Sequence, residues 1–312
     1  MANQPTRGAL DSAFAELLAQ PRISLRRPPP GLALADLRQA ANGFLAQARG
    51  PELFLISDHV VIGGETPIAL RLYRPTAAAT LPLVVFLHGG GFVLGDLDSH
   101  DATCRHLAAA TGMAVAAPAY RLAPEHPFPT PLDDVMAALR WLRRDATELG
   151  LAVSRWAVAG DSAGAQLALA ASLRAEAEGF APAFAALLYP LIDPSRASDS
   201  ARAFDEGHML TGSFIAWAWE CYLGGARDDE PLYDLRRADL ARLPPLRVVT
   251  AEFDPLRDEG EAFSRAAATA GVPVSLRRYA GVIHGFAGLP QLTPKAVDAI
   301  EYLAEGIRSA LA

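Results

Sequence analysis

Five residues, Gly160-Asp161-Ser162-Ala163-Gly164, carry the strongest chemical signal in the chain. An apolar run, Trp156 to Ala159, leads into them, and a helical pattern, Ala163 to Glu178, leads away. A serine flanked by glycines two positions before and after, on a strand-to-helix turn, is the pattern of a nucleophile held on a tight elbow. Without a Cβ at either glycine, strand and helix can approach while the serine takes a strained backbone conformation. Ser162 then sits at a helix N-terminus, where the Ala163 amide is free and the helix dipole favours negative charge.

A second glycine cluster follows another apolar run. Leu83 to Leu87 leads into His88-Gly89-Gly90-Gly91-Phe92. Glycines there let backbone amides converge on one point, as the oxyanion of a tetrahedral intermediate requires. The candidate donors are the amides of Gly89, Gly90 and Ala163. A nucleotide-binding loop is disfavoured, because neither G-x-G-x-x-G nor a following G-K-[ST] is present. His88 is expected to brace this loop rather than act as a base or bind a metal.

A serine on such an elbow takes its acid and then its histidine from later in the chain. Of seven histidines, only His208 and His284 follow Ser162. His284 stands in a loop just after the last strand pattern, so it is preferred as the base. The acid should lie in the loop after the preceding strand. Asp254 occupies that turn, with Pro255 ending the strand; Asp258, read as the N-cap of the next helix, and Glu252 are the alternatives.

These groups need a scaffold, and the chain's periodicity describes one. Helices are expected over Ser12–Gln20 and Leu34–Arg49, separated by Arg26-Arg27-Pro28-Pro29-Pro30. Asp58–Ile62 and Ile68–Tyr73 read as a hairpin around Gly63-Gly64. Strands Leu83–Leu87, Ala114–Pro118, Trp156–Ala159, Phe184–Tyr189, Leu246–Ala251 and Val274–Tyr279 then alternate with helices. The helices are Ser99–Thr111, Leu132–Leu149, Ala163–Glu178, Asp258–Ala270 and Pro294–Leu311. Such alternation implies right-handed crossovers and a mostly parallel sheet flanked by helices. Between Leu191 and Leu243 about 50 residues show no strand, and a long break of this kind is usually functional. It holds a helix-like Gly212–Leu223 and an acidic loop, Asp228-Asp229-Glu230. The reading is residues 1–50 as N-terminal cap helices, 51–190 as the first part of the core, 191–243 as a cap insertion and 244–312 as the second part of the core.

Composition narrows the class. A chain of 312 residues, 51% hydrophobic and 20% charged, is too apolar for disorder and long enough for a large core. A net charge of −7 argues against a nucleic-acid partner. Two cysteines make no disulfide framework. No apolar stretch follows Arg7, so a secretory signal is not expected, and no apolar run is long enough to span a membrane. These features point to a cytoplasmic location. Lys295 is the only lysine against 27 arginines, a bias that GC-rich coding explains without any function.

Taken together, the motifs resemble the hormone-sensitive-lipase-like family, the bacterial group IV carboxylesterases of the α/β-hydrolase superfamily. The resemblance rests on His88–Phe92, Tyr120-Arg121-Leu122-Ala123-Pro124-Glu125-His126-Pro127-Phe128-Pro129, Gly160–Gly164, Asp254-Pro255-Leu256-Arg257-Asp258 and His284-Gly285-Phe286, in family order over about 200 residues. Ala165 departs from the pattern where a glycine is common. The resemblance implies the α/β-hydrolase fold, with an eight-stranded, mostly parallel sheet and a helical cap. It implies hydrolysis of short- to medium-chain acyl esters with no cofactor and no metal. It makes Glu125 and Asp133 structural ties of the loop before the long helix, and turns Asp161 away from the substrate.

In the expected mechanism Ser162 attacks the ester carbonyl, His284 is general base and then acid, and Asp254 fixes the imidazole tautomer. Candidate pocket residues are Phe92, Val93, Tyr189, Leu191, Met209, Leu210, Phe214, Trp217 and Phe286. The expected partner is a small ester, with no nucleic acid and no membrane; a homodimer is left open. Amidase or lactonase activity would use the same groups. Small-molecule receptors and peptidases of the same fold are disfavoured, the first by the complete triad, the second by the lack of a gating domain.

Overall fold

Runs of branched and aromatic residues build the sheet that carries the candidate groups. The computed structural model describes residues 8–20, 23–225 and 232–312; Arg7 and the acidic loop Asp228-Asp229-Glu230 lie outside them. The strands are β1 (Leu55–Val61), β2 (Ile68–Arg74), β3 (Leu81–Leu87), β4 (Ala114–Pro118), β5 (Leu151–Asp161), β6 (Phe184–Leu188), β7 (Leu246–Phe253) and β8 (Val274–Ile283). They form one eight-stranded sheet in the order β1-β2-β4-β3-β5-β6-β7-β8. Only β1–β2 and β2–β4 pair antiparallel; the remaining pairs are parallel.

The central strands β4 and β6 are buried along their whole length, as helices on both faces require of a parallel sheet. On one face lie α3 (Asp101–Thr111) and α9 (Lys295–Leu311), packed on each other. Their apolar side chains share a core with Val84, Phe86 and Val249. The other face carries α4 (Thr130–Arg144), α5 (Ala163–Ala177) and α8 (Arg257–Thr269) over Leu83, Val85 and Val248. The remaining helices are α1 (Ser12–Leu18), α2 (Leu34–Leu45), α6 (Asp199–Ala203) and α7 (Gly212–Leu223). Between Leu191 and Leu243 the described residues hold α6, α7 and two 3-10 turns, Leu235–Arg237 and Leu240–Arg242. Leu25 bridges to Leu210 there, with its amide on the Met209 carbonyl at 2.7 Å, so the N-terminal segment is stitched to this stretch.

The largest boundary differences from the periodicity lie in α4 and β5. The helix expected over Leu132–Leu149 runs from Thr130 to Arg144, and residues 145–150 turn the chain back with Gly150 at φ 62°. Strand β5 starts at Leu151, not Trp156. Its first residues pair with Leu81 and Pro82, and a register shift plus the exposed Ser154 and Arg155 disguise the alternation.

The order of the sheet has a functional consequence. Strands β3, β5, β7 and β8 end in the same direction at Leu87, Asp161, Phe253 and Ile283. The chain positions just beyond those ends are His88, Ser162, Asp254 and His284. All the candidate chemistry therefore gathers at the carboxyl edge, where open α/β sheets bind ligands.

Candidate active site

Ser162 joins β5 to α5 with φ 53° and ψ −120°, a left-handed conformation costing about 1–3 kcal/mol for a residue with a side chain. Surrounding bonds hold it there. Its amide donates to the Leu188 carbonyl at 2.9 Å, and its own carbonyl accepts the Leu191 amide at 3.2 Å. A Cβ at Gly164 would collide with the carbonyl oxygens of Leu87 and His88, so only glycine lets α5 lie this close to β3.

The His284 Nε2 lies 3.0 Å from the Ser162 Oγ, and its Nδ1 lies 2.8 Å from Asp254 Oδ2. A carboxylate only accepts, so Nδ1 carries the hydrogen and Nε2 is left to accept the serine proton. Asp254 is fully buried, and its second oxygen takes the Leu256 amide at 2.8 Å. The Tyr189 ring packs against the imidazole, with centroids 4.8 Å apart. The structure thus brings Ser162, His284 and Asp254 into one chain of hydrogen bonds.

The alternatives are engaged elsewhere. Glu252 accepts the amides of Gly8 and Gly281. Asp258 is not an N-cap: α8 begins at Arg257, with Leu256 in the cap position, and the Asp258 carboxylate receives the Ser200 amide at 2.8 Å. His208 stacks on Phe253 and sends Nδ1 to the Glu206 carbonyl.

The glycine loop corrects one expected donor. The Gly89 amide is committed to Asp161 Oδ1 at 2.7 Å, so it has no hydrogen left for an oxyanion. Among the described residues the amides of Gly90, Gly91 and Ala163 have no hydrogen-bond partner, and Gly90 and Gly91 line the cavity beside Ser162. The free pair in the loop is therefore Gly90 and Gly91, the latter not singled out from sequence. His88 bonds the Gly89 carbonyl through Nδ1 at 2.9 Å and stacks on Tyr120, whose hydroxyl donates to the His88 carbonyl at 2.5 Å. Burial and the neighbouring His100 push the His88 pKa down to about 4, so it braces the loop as a neutral ring. Asp161, which the resemblance turns away from the substrate, instead points its carboxylate at this loop and contributes to the cavity wall.

The other implied ties divide. Glu125 forms a two-pronged pair with Arg38 at 2.8 Å, joining the loop before α4 to α2. Asp133 does not hold that loop; it pairs with Arg174 at the half-exposed surface. The tie belongs to Asp134, only 2% exposed, which takes both the amide and the guanidinium of Arg121. Ala165 sits inside α5, buried, with its amide on the Ser162 carbonyl.

A cavity of about 410 Å³ opens over Ser162 and His284. Tyr189, Met209, Leu210 and Phe214 line it. Phe92, Val93, Leu191, Trp217 and Phe286 do not. Phe92 is stacked on Tyr222 at 3.7 Å, and Phe286 is wedged between Tyr189 and Tyr279. Val93 and Leu191 are core residues, and Trp217 packs against that core from the surface side of α7. The N-terminal segment, expected as part of the cap, supplies wall residues that are not among the sequence candidates: Leu25, Pro28, Leu37, Phe44 and Leu45 face the cavity. The spacing of Leu34, Leu37, Ala41, Phe44 and Leu45 along α2 is an apolar helical stripe that could have disclosed the last three. Among the described residues no group of three or more His, Cys, Asp or Glu could hold a metal ion, and no helix is long and apolar enough to cross a membrane. Both cysteines are free thiols.

Comparison with known proteins agrees with this geometry. Residues 84–288 match a protein family described by the alpha/beta hydrolase fold. The chain is 38% identical over 273 residues to the esterase LipI of Mycobacterium tuberculosis, covering 84% of each chain. It is 39% identical over 287 residues to the carboxylesterase NlhH of the same organism, covering 87% of this chain and 89% of that one. Among solved structures it superimposes on a hyperthermophilic esterase from the archaeon Pyrobaculum calidifontis with TM-score 0.89 and 33% identity, over 97% of this chain and 99% of that one.

Proposed function

The chain belongs to the hormone-sensitive-lipase-like family of α/β-hydrolases and is a carboxylic ester hydrolase, and we propose that it cleaves short- to medium-chain acyl esters through Ser162, His284 and Asp254. The observation that carries the assignment of residues is the continuous hydrogen-bond chain Ser162 Oγ, His284 Nε2, His284 Nδ1, Asp254 Oδ2, with distances of 3.0 and 2.8 Å. His284 takes the Ser162 proton as Oγ attacks the carbonyl, and Asp254 stabilises the imidazolium that forms. The tetrahedral oxyanion is received by the Gly90, Gly91 and Ala163 amides. His284 then protonates the leaving alcohol, and water activated by the same imidazole releases the acid.

The substrate class follows from the cavity. Its wall is mostly apolar side chains from the N-terminal segment and from Met209, Leu210 and Phe214. A volume of about 410 Å³ lies toward the small end of ligand sites, which suits an acyl chain of modest length. Residues 1–50 and 191–243 act as a cap over the core formed by 51–190 and 244–312; the Leu25–Leu210 bridge supports this division. A reducing, cytoplasmic setting agrees with the two free thiols.

Hydrolysis of a p-nitrophenyl ester series from acetate to palmitate tests the proposal, with Ser162→Ala as control. The expected result is a maximum at short to medium chains and a loss of about 10³–10⁶ in turnover for the folded Ser162→Ala. Near-full activity of that variant would refute the mechanism.

A further inference from the structure

The mechanism above leaves one buried acid–imidazole pair unused. Asp161 directly precedes the nucleophile, and its Oδ1 meets two groups: the Gly89 amide at 2.7 Å and the Nε2 of His100 at 3.3 Å. His100 stands at the N-cap position of α3, 7% exposed, on the wall of the substrate cavity. Its other nitrogen, Nδ1, lies 3.0 Å from Ser99 Oγ.

Hydrogen-bond accounting favours the charged form of this ring. Ser99 Oγ has one hydrogen, which goes to the Asp96 carbonyl at 2.9 Å, and the same oxygen already accepts the Asp96 amide. In that orientation it accepts from His100 Nδ1. Asp161 is a carboxylate and also only accepts. Both ring nitrogens therefore face acceptors, and both are satisfied only in the imidazolium. The surroundings agree. Burial pulls the His100 pKa down, but the carboxylates of Asp161 and Asp96 outweigh it and hold it above the ordinary 6.5. The groups facing the ring are Asp161 from the end of β5, His88 from the loop after β3 (centroids 5.4 Å apart), the apolar Phe86 of β3, and Ser99 and Asp96 from its own loop. His88, driven toward the neutral form, adds no competing charge.

The chain of contacts also continues outward. Asp96 Oδ2 takes the side-chain amide of Asn42 at 2.7 Å, and Asn42 Oδ1 takes the Gly95 amide at 2.9 Å. Asn42 belongs to α2, the helix that walls the cavity. A polar path thus runs from α2 through Asp96, Ser99, His100 and Asp161 to the first amide of the glycine loop.

We propose that His100 is a positioning residue: as a cation it holds Asp161 on the Gly89 amide, and this clamp aims the neighbouring Gly90 and Gly91 amides at the oxyanion. Asp161 is bonded covalently to Ser162 and through hydrogen to Gly89, so it sets the distance between nucleophile and donors. Loss of the His100 charge removes the attraction that steadies the buried Asp161 carboxylate, and the loop loosens. Activity should then decline on the alkaline side as His100 deprotonates.

The inference rests on the serine-hydrolase reading above, and the experiment separates the two. Steady-state kinetics on p-nitrophenyl butyrate from pH 5 to 10 would compare wild type, His100→Gln, Asp161→Asn and the double variant, with Ser162→Ala as reference. The expected result is a fall in kcat of about 10- to 100-fold for His100→Gln with KM within about threefold, since a misaimed donor costs transition-state stabilisation rather than binding. The alkaline limb of kcat should shift or vanish, and the double variant should be no worse than Asp161→Asn. Affinity for an alkylboronic acid, which forms a tetrahedral adduct on the serine, should fall in parallel with kcat. A change in melting temperature alone, with kcat and pH profile as in wild type, would overturn the positioning role. Hydrolysis retained by Ser162→Ala would instead overturn the underlying mechanism. Should His100→Gln not fold, nitrogen NMR of the histidine rings in wild type still decides: both His100 nitrogens must carry hydrogen at pH 7, and a neutral ring there ends the proposal.

Discussion

The replacement Glu259→Gln should make the protein more stable, and increasingly so as pH rises. Glu259 lies in the first turn of α8, 5% exposed. Its Oε1 accepts the amides of Ile192 and Asp193 at 2.7 and 3.1 Å, while Oε2 has no partner. Burial pushes its pKa up to about 8, against the pull of those two amides. The native protein therefore keeps this proton after the unfolded chain has lost it. Below an ordinary carboxyl value of 4.5 both states are protonated, and the group's favourable contribution is fully present. Between 4.5 and about 8 the unfolded state releases its proton and stability falls by about 1.4 kcal/mol per pH unit. The total is about 5 kcal/mol, reached above pH 8, with about 3 kcal/mol already lost at pH 7. Glutamine cannot ionise and still offers one oxygen to the Ile192 and Asp193 amides. Its extra N–H stands where Oε2 had no partner, a cost of about 1 kcal/mol. The variant should thus be slightly less stable than wild type near pH 4.5, and more stable by about 2 kcal/mol at pH 7. Urea denaturation of both proteins from pH 4.5 to 9 measures this. A difference that stays flat across the range would show that Glu259 is ionised in the native state and the reasoning wrong.

Three other outcomes follow from individual contacts in the structure. Asp134→Ala strands the Arg121 guanidinium and amide and should cost about 2–4 kcal/mol, whereas Asp133→Ala breaks a half-exposed pair and should cost under about 1 kcal/mol; thermal denaturation separates them. Gly164→Ala forces a Cβ into the Leu87 and His88 carbonyls, so it should destabilise by about 3 kcal/mol or more and abolish turnover even where the chain folds. Lys295 donates to Asp11 at 2.6 Å and to the Ala280 carbonyl at 2.9 Å, tying the segment before α1 to β8, the strand that ends just before His284. Lys295→Ala should change global stability by no more than about 1 kcal/mol but speed limited proteolysis at the N-terminal segment.

The triad was readable because each of its members is announced by its immediate neighbours: glycines around Ser162, a proline after Asp254, a strand end before His284. What was not readable depends on contacts between distant positions. The Gly89 amide is withdrawn from the oxyanion by Asp161, 72 residues away, and nothing in His88–Phe92 signals that loss. The individual wall residues from Leu25 to Leu45 are set in the same way, by distant contacts such as Leu25 with Leu210, Arg38 with Glu125 and Asn42 with Asp96, although the segment as a whole is readable as part of the cap. The exchange of Asp133 for Asp134 is a different kind of miss. Adjacent residues on a helix point about 100° apart, so two neighbouring carboxylates cannot both reach one partner. The buried stripe of α4 runs through Pro131, Val135, Ala138 and Leu142, with Asp134 four residues before Ala138 and Asp133 on the far side. Helical periodicity alone thus assigns the inward carboxylate to Asp134. That carboxylate anchors Arg121, the residue after the Tyr120 that stacks on His88, so a one-residue choice on α4 bears on how firmly the glycine loop is held.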